Sequence, residues 1–172
     1  MAPPIRLTVP GTLRYRAIAV RAVAEAARLV SGSTQRDPND ALAHDVRDPF
    51  DTAVVSAFME IFNNVAIHAY ASELPGEPVP LGRTQPGAGS IEIALTPTAD
   101  ELIIEIKDTG RPFDIAAVAP LPSELDPEAL PEGGMGIHIA KTMLDEMTYE
   151  PGPPNLWRLS KRLPKTRAAM GS

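Results

Sequence analysis

The sequence predicts an α+β fold, a two-layer α/β sandwich in which a mixed sheet carries its helices packed on one face. Three observations predict it. Residues 90–96 and 101–107 are β-rich runs joined by Pro97-Thr98-Ala99-Asp100, which reads as a hairpin. Two helical stretches precede that hairpin, and a third follows it at Gly134-Met135-Gly136. The resulting order is strand, helix, helix, strand, strand, lid, helix, strand, strand, with strands grouped apart from helices, as in two-layer α+β sandwiches.

Taken in order, residues 5–9 alternate between flanking prolines and read as a first strand at a sheet edge. Thr12 is placed to cap a helix running to about Val30, with Leu13, Ala17, Val20, Val23, Ala24, Ala27 and Val30 as its apolar face. Arg14, Arg16, Arg21 and Arg28 fall mostly off that face. Residues 31–50 are polar, with two prolines and four aspartates, and read as a loop. Asp51 or Thr52 then caps a second helix. Its apolar stripe is Val54, Phe58, Ile61, Phe62, Val65 and Ala69. Residues 72–89 hold four prolines and read as an irregular connection, and 111–133 hold five and read as a lid. The helix opened by Gly134 runs to about Glu146, with Ile137, Ala140, Met143, Leu144 and Met147 inward. Residues 148–150 and 156–163 close the sheet, and 164–172 read as a frayed tail. The whole, 1–172, forms one domain with a core spanning about 5–163.

Composition removes several classes of function. A formal charge of −6 and a pI near 5.1 argue against direct nucleic-acid binding, which needs a basic surface. The absence of cysteine removes disulfides, thiolate nucleophiles and Cys-based zinc sites. His44, His68 and His138 are not paired at ligand spacing. The N-terminal residues contain no apolar leader and no run approaches the length of a membrane span, so the expectation is a cytoplasmic protein without membrane association.

The second helix carries the feature that composition does not explain. Glu60, Asn64 and His68 fall at i, i+4 and i+8, nearly above one another on a helix, drifting about 40° per step. A solvated helix face accounts for any one of them. Two adjacent asparagines, Asn63 and Asn64, do not suit such a face, because Asn costs several tenths of a kcal/mol against Ala in a helix interior. Two further blocks accompany the stripe: Asp108-Thr109-Gly110 directly after a strand, and Gly134-Met135-Gly136 at a helix start. A helix N-terminus offers unpaired N–H groups and the positive end of its dipole, and glycines let a phosphate approach them. An acidic residue at a strand end can accept from the amino group of a purine. An amide and a carboxylate on a facing helix can hold a hydrated Mg²⁺ against phosphates. Each block alone has an ordinary explanation, as a turn or a tight packing point; the combination is far more specific. Two decoys fail. Residues 136–142 lack the glycine that a phosphate loop needs before its lysine, since Ala140 precedes Lys141, and residues 134–139 do not complete a Gly-x-Gly-x-x-Gly fingerprint.

The three blocks, in this order, resemble the GHKL (Bergerat-fold) ATPase superfamily. Glu60-x-x-x-Asn64 is similar to its N box, Asp108-x-Gly110 to its first glycine box and Gly134-x-Gly136 to its second. Residues 60–70, together with 133–137 and 143–147, look closest to anti-sigma serine kinases of the RsbW and SpoIIAB type. The resemblance implies ATP and Mg²⁺ as cofactors. It makes Asn64 the metal ligand and Glu60 the general base toward a substrate serine. It makes Asp108 the adenine selector, with Thr109 and Gly110 beside it, and it places His68, Gly134, Met135, Gly136 and Ile137 in the nucleotide site. It also implies a STAS-domain anti-anti-sigma protein as substrate, a sigma factor as second partner, a homodimer, and a partner-contacting role for Arg16. One departure stands out. Glu132 occupies the position where the sporulation kinases carry an arginine near the phosphates, and a carboxylate there repels a triphosphate unless Mg²⁺, Arg111 or Lys141 intervenes. The alternative reading is therefore a nucleotide-gated binding module that sequesters a regulator with little phosphotransfer; an ATPase driving a mechanical step is a weaker third.

Overall fold

A computed structural model of the chain describes residues 3–32, 48–69, 89–118 and 135–165. Expectations for residues 33–47, 70–88, 119–134 and the last seven residues, including those for His44, Tyr70, Glu132 and Gly134, lie outside the described residues. The strands are β1 (Ile5–Pro10), β2 (Ser90–Pro97), β3 (Glu101–Asp108), β4 (Glu146–Glu150) and β5 (Asn155–Arg162), and the helices are α1 (Arg16–Ser31), α2 (Pro49–Asn64) and α3 (Met135–Met143). They form one five-stranded sheet in the order β1-β2-β3-β5-β4.

The two-layer α+β architecture is the one the sequence predicts, but the sheet is not mixed: every pairing is antiparallel. The connections explain why. Among the described residues two helices, α1 and α2, lie between β1 and β2. A single crossover helix returns the chain parallel, whereas a second helix reverses it again, so β2 runs against β1. The β2–β3 hairpin turns at Thr98, whose N–H donates to the Glu101 carbonyl at 2.8 Å. The path from β3 through α3 to β4 is a split crossover, with β5 inserted between its two strands. β1 sits at a sheet edge, as its flanking prolines suggest.

Several boundaries differ from expectation. The cap of α2 is Asp48, not Asp51 or Thr52: its carboxylate accepts from the N–H groups of Phe50 (2.8 Å) and Asp51 (3.2 Å). Pro49 is the first helical residue, a position where its missing N–H costs nothing. Asp51 is instead buried within the first turn. Thr12 leads a 3₁₀ turn (Leu13–Tyr15) without a side-chain capping bond, and α1 proper starts at Arg16. The buried face of α1 is wider than the expected stripe. Ala17 is exposed, while Ala19, Ala26 and Arg28 join Val20, Val23, Ala24, Ala27 and Val30 inside. Arg28 is buried there along its whole side chain, guanidinium included, with its Nη1 reaching Glu25 at 3.1 Å. Gly32 ends the helix in the left-handed conformation (φ 69°). At its other end the fold shortens α3: Asp145 hooks onto β5, its N–H donating to the Ser160 carbonyl at 3.1 Å and its carboxylate accepting from Arg162 at 2.7 Å. Glu146 and Met147 therefore belong to β4, not to the helix.

The core lies between the sheet and its helices. Phe58, Ile61 and Phe62 from α2 meet Ile91, Ile93, Leu95, Ile104, Ile106, Trp157 and Leu159 from the strands. Each large apolar side chain removed from water contributes about 1.5–3 kcal/mol. The other sheet face is charged, with ion pairs Glu105–Arg158 (3.6 Å) and Glu101–Arg162 (3.4 Å). One expectation on membranes needs correction. Pro49–Ala69, at 21 residues and mean hydropathy 1.2, has the length and composition of a span, and half of that window is buried within the fold. That composition follows from its place as the central helix, packed between α1 and α3, since a central helix is apolar over most of its surface.

Candidate functional site

The site is built around the C-terminal end of α2. Regular α-helix stops at Asn64, and Val65–Ala69 forms a π turn. Such a turn closes i→i+5 bonds, so His68 falls short of the position that α spacing would give it, and the expected row of three bends after Asn64. The wide turn brings Ala69 onto the loop after β3. The Ala69 carbonyl accepts from the Arg111 N–H at 3.0 Å. Gly110 lies so close that a Cβ placed on it would fall 2.5 Å from both the Cβ and the carbonyl oxygen of Ala69. Glycine is required here by approach, because its φ is not in the left-handed region.

An open groove lies beside this junction, lined by Asn64, Val65, His68, Ala69, Asp108, Arg111, Phe113, Tyr149 and Trp157. At its floor Asp108 ends β3 with only 3% of its surface exposed. Its Oδ1 accepts from the Gly110 N–H and from Asn155 Nδ2, each at 2.9 Å. Burial pushes the Asp108 carboxyl above its usual range, and those two hydrogen bonds hold the rise back. Aromatic rings form one wall. Phe113 packs near Tyr149 and Trp157 (centroids 6.4 and 5.9 Å), with His68 at 6.2 Å. The Phe113 N–H donates to the Tyr149 hydroxyl at 2.8 Å, and burial raises that phenol.

Glu60 and Gly136 meet at the start of α3, where a Cβ on Gly136 would collide with the Glu60 carboxylate. Among the described residues the Nδ2 of Asn64 is buried without a hydrogen-bond partner. Met135 opens α3, Thr109 is exposed, and the Ile137 side chain is fully buried in the core, so only its backbone can face a ligand. Arg16 is not a free surface cation: its Nη1 donates to Asn63 Oδ1 at 3.1 Å, tying the start of α1 to the residue before Asn64. The structure thus brings Glu60 to Gly136, and Asn64 and His68 to Asp108. Sequence reasoning did not find Asn155, Phe113, Tyr149 or Trp157. The available signal was the pairing of β5 with β3, which sets Asn155 opposite Asp108 and Trp157 opposite Ile106.

Residues 10–158 match the histidine kinase-like ATPase domain, and the chain belongs to that family. Among solved structures it is similar to the histidine kinase domain of the blue-light activated histidine kinase from Erythrobacter litoralis EL346, at 15% identity and a TM-score of 0.48. That match covers 90% of this chain, which spans 65% of the length of the other. No curated protein sequence matches the chain.

Membership of this GHKL family implies ATP binding, usually with Mg²⁺. The residues present suit both. Asp108 offers a buried acceptor for a base, Gly136 leaves the first turn of α3 without a Cβ, and Asn64 has an amide oxygen of the kind Mg²⁺ takes, its unpaired Nδ2 being a donor that suits a ligand oxygen and not the cation. Among the described residues no three His, Asp or Glu side chains gather at metal-binding spacing. If Asn64 holds a cation, its amide oxygen would do so beside water and the phosphates, a ligand set that suits Mg²⁺.

Proposed function

We propose that the protein is an ATP-dependent protein-serine kinase that doubles as a partner-switching anti-sigma factor. The observation that carries the reading is the placement of Glu60, one helical turn before Asn64 and against Gly136 at the start of α3. A carboxylate there stands between the metal ligand and the helix end that receives phosphates. Asn64 would hold Mg²⁺, Asp108 the adenine, and the backbone at Met135, Gly136 and Ile137, together with Gly134, the phosphates. His68 and Thr109 would flank the base. Bound Mg·ATP supplies the transferable phosphoryl group and the cation that offsets its charge. Glu60 would accept the proton of the serine hydroxyl as that oxygen attacks the γ-phosphorus and the bond to the bridging oxygen breaks.

By resemblance, the serine belongs to a STAS-domain anti-anti-sigma protein and the second partner is a sigma factor. The same resemblance makes the working form a homodimer; the acidic charge and the apolar pattern of the sequence make it a cytoplasmic one without direct nucleic-acid or membrane contact. The Arg16–Asn63 hydrogen bond supports a link between partner and nucleotide, because it joins the arginine assigned to partner contact with the neighbour of Asn64. A second reading, a nucleotide-gated binding module with little phosphotransfer, is favoured by one feature. The Glu60 carboxylate rests on the first turn of α3, where it would compete with a phosphate for the positive helix end. Incubation with Mg·ATP and candidate STAS domains separates the two. Phosphoserine, reduced about 100-fold or more by Glu60→Gln with ATP binding retained, supports the kinase. Tight nucleotide-dependent capture without phosphoserine supports the module.

A further inference from the structure

We propose that Asn155 is the positioning residue that makes Asp108 select adenine over guanine; this rests on the ATP-binding reading above. Asn155 starts β5 directly opposite Asp108 in the β3–β5 register and is 1% exposed. Its side chain is fully engaged. Nδ2 donates to Asp108 Oδ1 at 2.9 Å and to the Gly110 carbonyl at 3.0 Å, and Oδ1 accepts from the Gly152 N–H at 3.1 Å. Both amide protons are therefore spent on the Asp108-Thr109-Gly110 turn, and none remains for a ligand. Asn155 acts on a nucleotide only through Asp108.

The consequence for Asp108 follows from counting its oxygens. Oδ1 already accepts two hydrogen bonds, from Gly110 and from Asn155. That fixes the rotation of the carboxylate and commits one oxygen to the protein, so Oδ2 is the acceptor left for the groove. Adenine presents an amino donor at its 6-position, whereas guanine presents a carbonyl acceptor there. A carboxylate locked with a bare acceptor outward rewards the first and repels the second. Without Asn155, the Gly110 N–H alone holds the carboxylate, which can then rotate toward Asn64, His68, Arg111 or Tyr149, polar side chains that line the same groove. The Gly110 carbonyl is released at the same time, so the turn that presents Asp108 loosens with it.

The test measures ATP and GTP dissociation constants for the full chain, its Asn155→Leu variant and its Asn155→Ser variant, alongside thermal unfolding of each. Leu keeps the branched outline but removes every bond; Ser restores one donor. The ratio of GTP to ATP dissociation constants should fall by about 10-fold or more in Asn155→Leu, since hydrogen bonds to charged groups carry effects of that size, and recover in part in Asn155→Ser. If Asn155→Leu does not fold, the Ser variant alone should show a smaller fall in the same ratio. Equal weakening of both nucleotides, or an unchanged ratio in a folded variant, would mean a merely structural residue and overturn the proposal. Asp108→Asn distinguishes that failure from failure of the reading beneath it. If the parent chain prefers ATP and loses the preference with Asp108→Asn but keeps it in both Asn155 variants, only the role of Asn155 falls. A parent chain that binds neither nucleotide overturns both.

Discussion

Replacing Gly110 with alanine tests the junction on which the site is built. The new Cβ would lie 2.5 Å from the Ala69 Cβ, 2.5 Å from its carbonyl oxygen and 2.8 Å from its carbonyl carbon. Two of those three atoms are backbone, so no rotamer change relieves the contact; either the π turn or the loop after β3 must move. Forcing an extra methyl into a packed site costs about 1–3 kcal/mol. Movement also breaks the Arg111–Ala69 hydrogen bond of 3.0 Å, for about 1 kcal/mol more. The expected loss is therefore about 2–4 kcal/mol. At this chain length each kcal/mol lowers the melting midpoint by about 2–4 °C, giving a drop on the order of 5–15 °C. Nucleotide affinity should fall as well, because the Gly110 N–H holds Asp108. Thermal unfolding monitored by circular dichroism gives the first quantity and titration with ATP the second. Adding Ala69→Gly removes the Cβ contact and leaves the two backbone contacts, so it should recover only part of the loss. A Gly110→Ala protein that melts with the parent and binds ATP equally well would refute the close approach.

Gly136→Ala makes the opposite prediction. Its Cβ meets the mobile end of Glu60, and alanine favours a helix by up to about 1 kcal/mol, so stability should hold while phosphoryl transfer falls by an order of magnitude or more; a fall in stability with transfer unchanged would contradict the assignment. Asn64→Ala should weaken Mg·ATP binding and leave the Mg²⁺-free affinity nearly unchanged, which calorimetry with and without the cation reads directly. For Asp108, burial raises the folded carboxyl above its ordinary value of 3.8, so the native state holds the proton more tightly than the unfolded chain. Its contribution to stability is present below 3.8 and lost as pH rises through the folded value. Asp108→Asn, which keeps an acceptor for Gly110 and Asn155, should be at least as stable as the parent at pH 7, with the difference shrinking as the parent's carboxyl is protonated. Denaturant unfolding at several pH values measures this, and a variant that loses stability only at neutral pH would sink it.

Much of the fold could be read from the sequence because its periods are clean. Residues 90–96 and 101–107 are β-rich, and the α2 stripe from Val54 to Val65 keeps helical spacing, so the strands and the helix are legible as elements and the buried face of the helix is the one its stripe predicts. What escaped did so for physical reasons. Asp48-Pro49 looks like loop chemistry until one asks which helical position tolerates a missing N–H. Val65 and Ala69 suit an α stripe as well as a π turn, so the pattern could not reveal where the helix widens. The two helices between β1 and β2 are legible, but which strands become neighbours in the sheet is a long-range property that no local window contains. The motif residues Asp108, Gly110 and Gly136 were visible as short signatures. Asn155 was not, because a lone asparagine after Pro153-Pro154 reads as turn chemistry, and its meaning comes only from the partner strand across from it.

The π turn also bears on what kind of change this helix can absorb. It accommodates one residue more than the same path in α-helix, so it behaves as an insertion that the helix has kept. Deleting a single residue within it would therefore return the same path to α geometry, with the core stripe and the exit side of α2 both kept. What the extra residue contributes is local: it widens the turn where Val65, His68 and Ala69 line the groove and where the Ala69 carbonyl meets the Arg111 N–H. The fold of α2 and the shape of the groove are thus separable in this segment, the first set by the apolar stripe and the second by one residue of chain length.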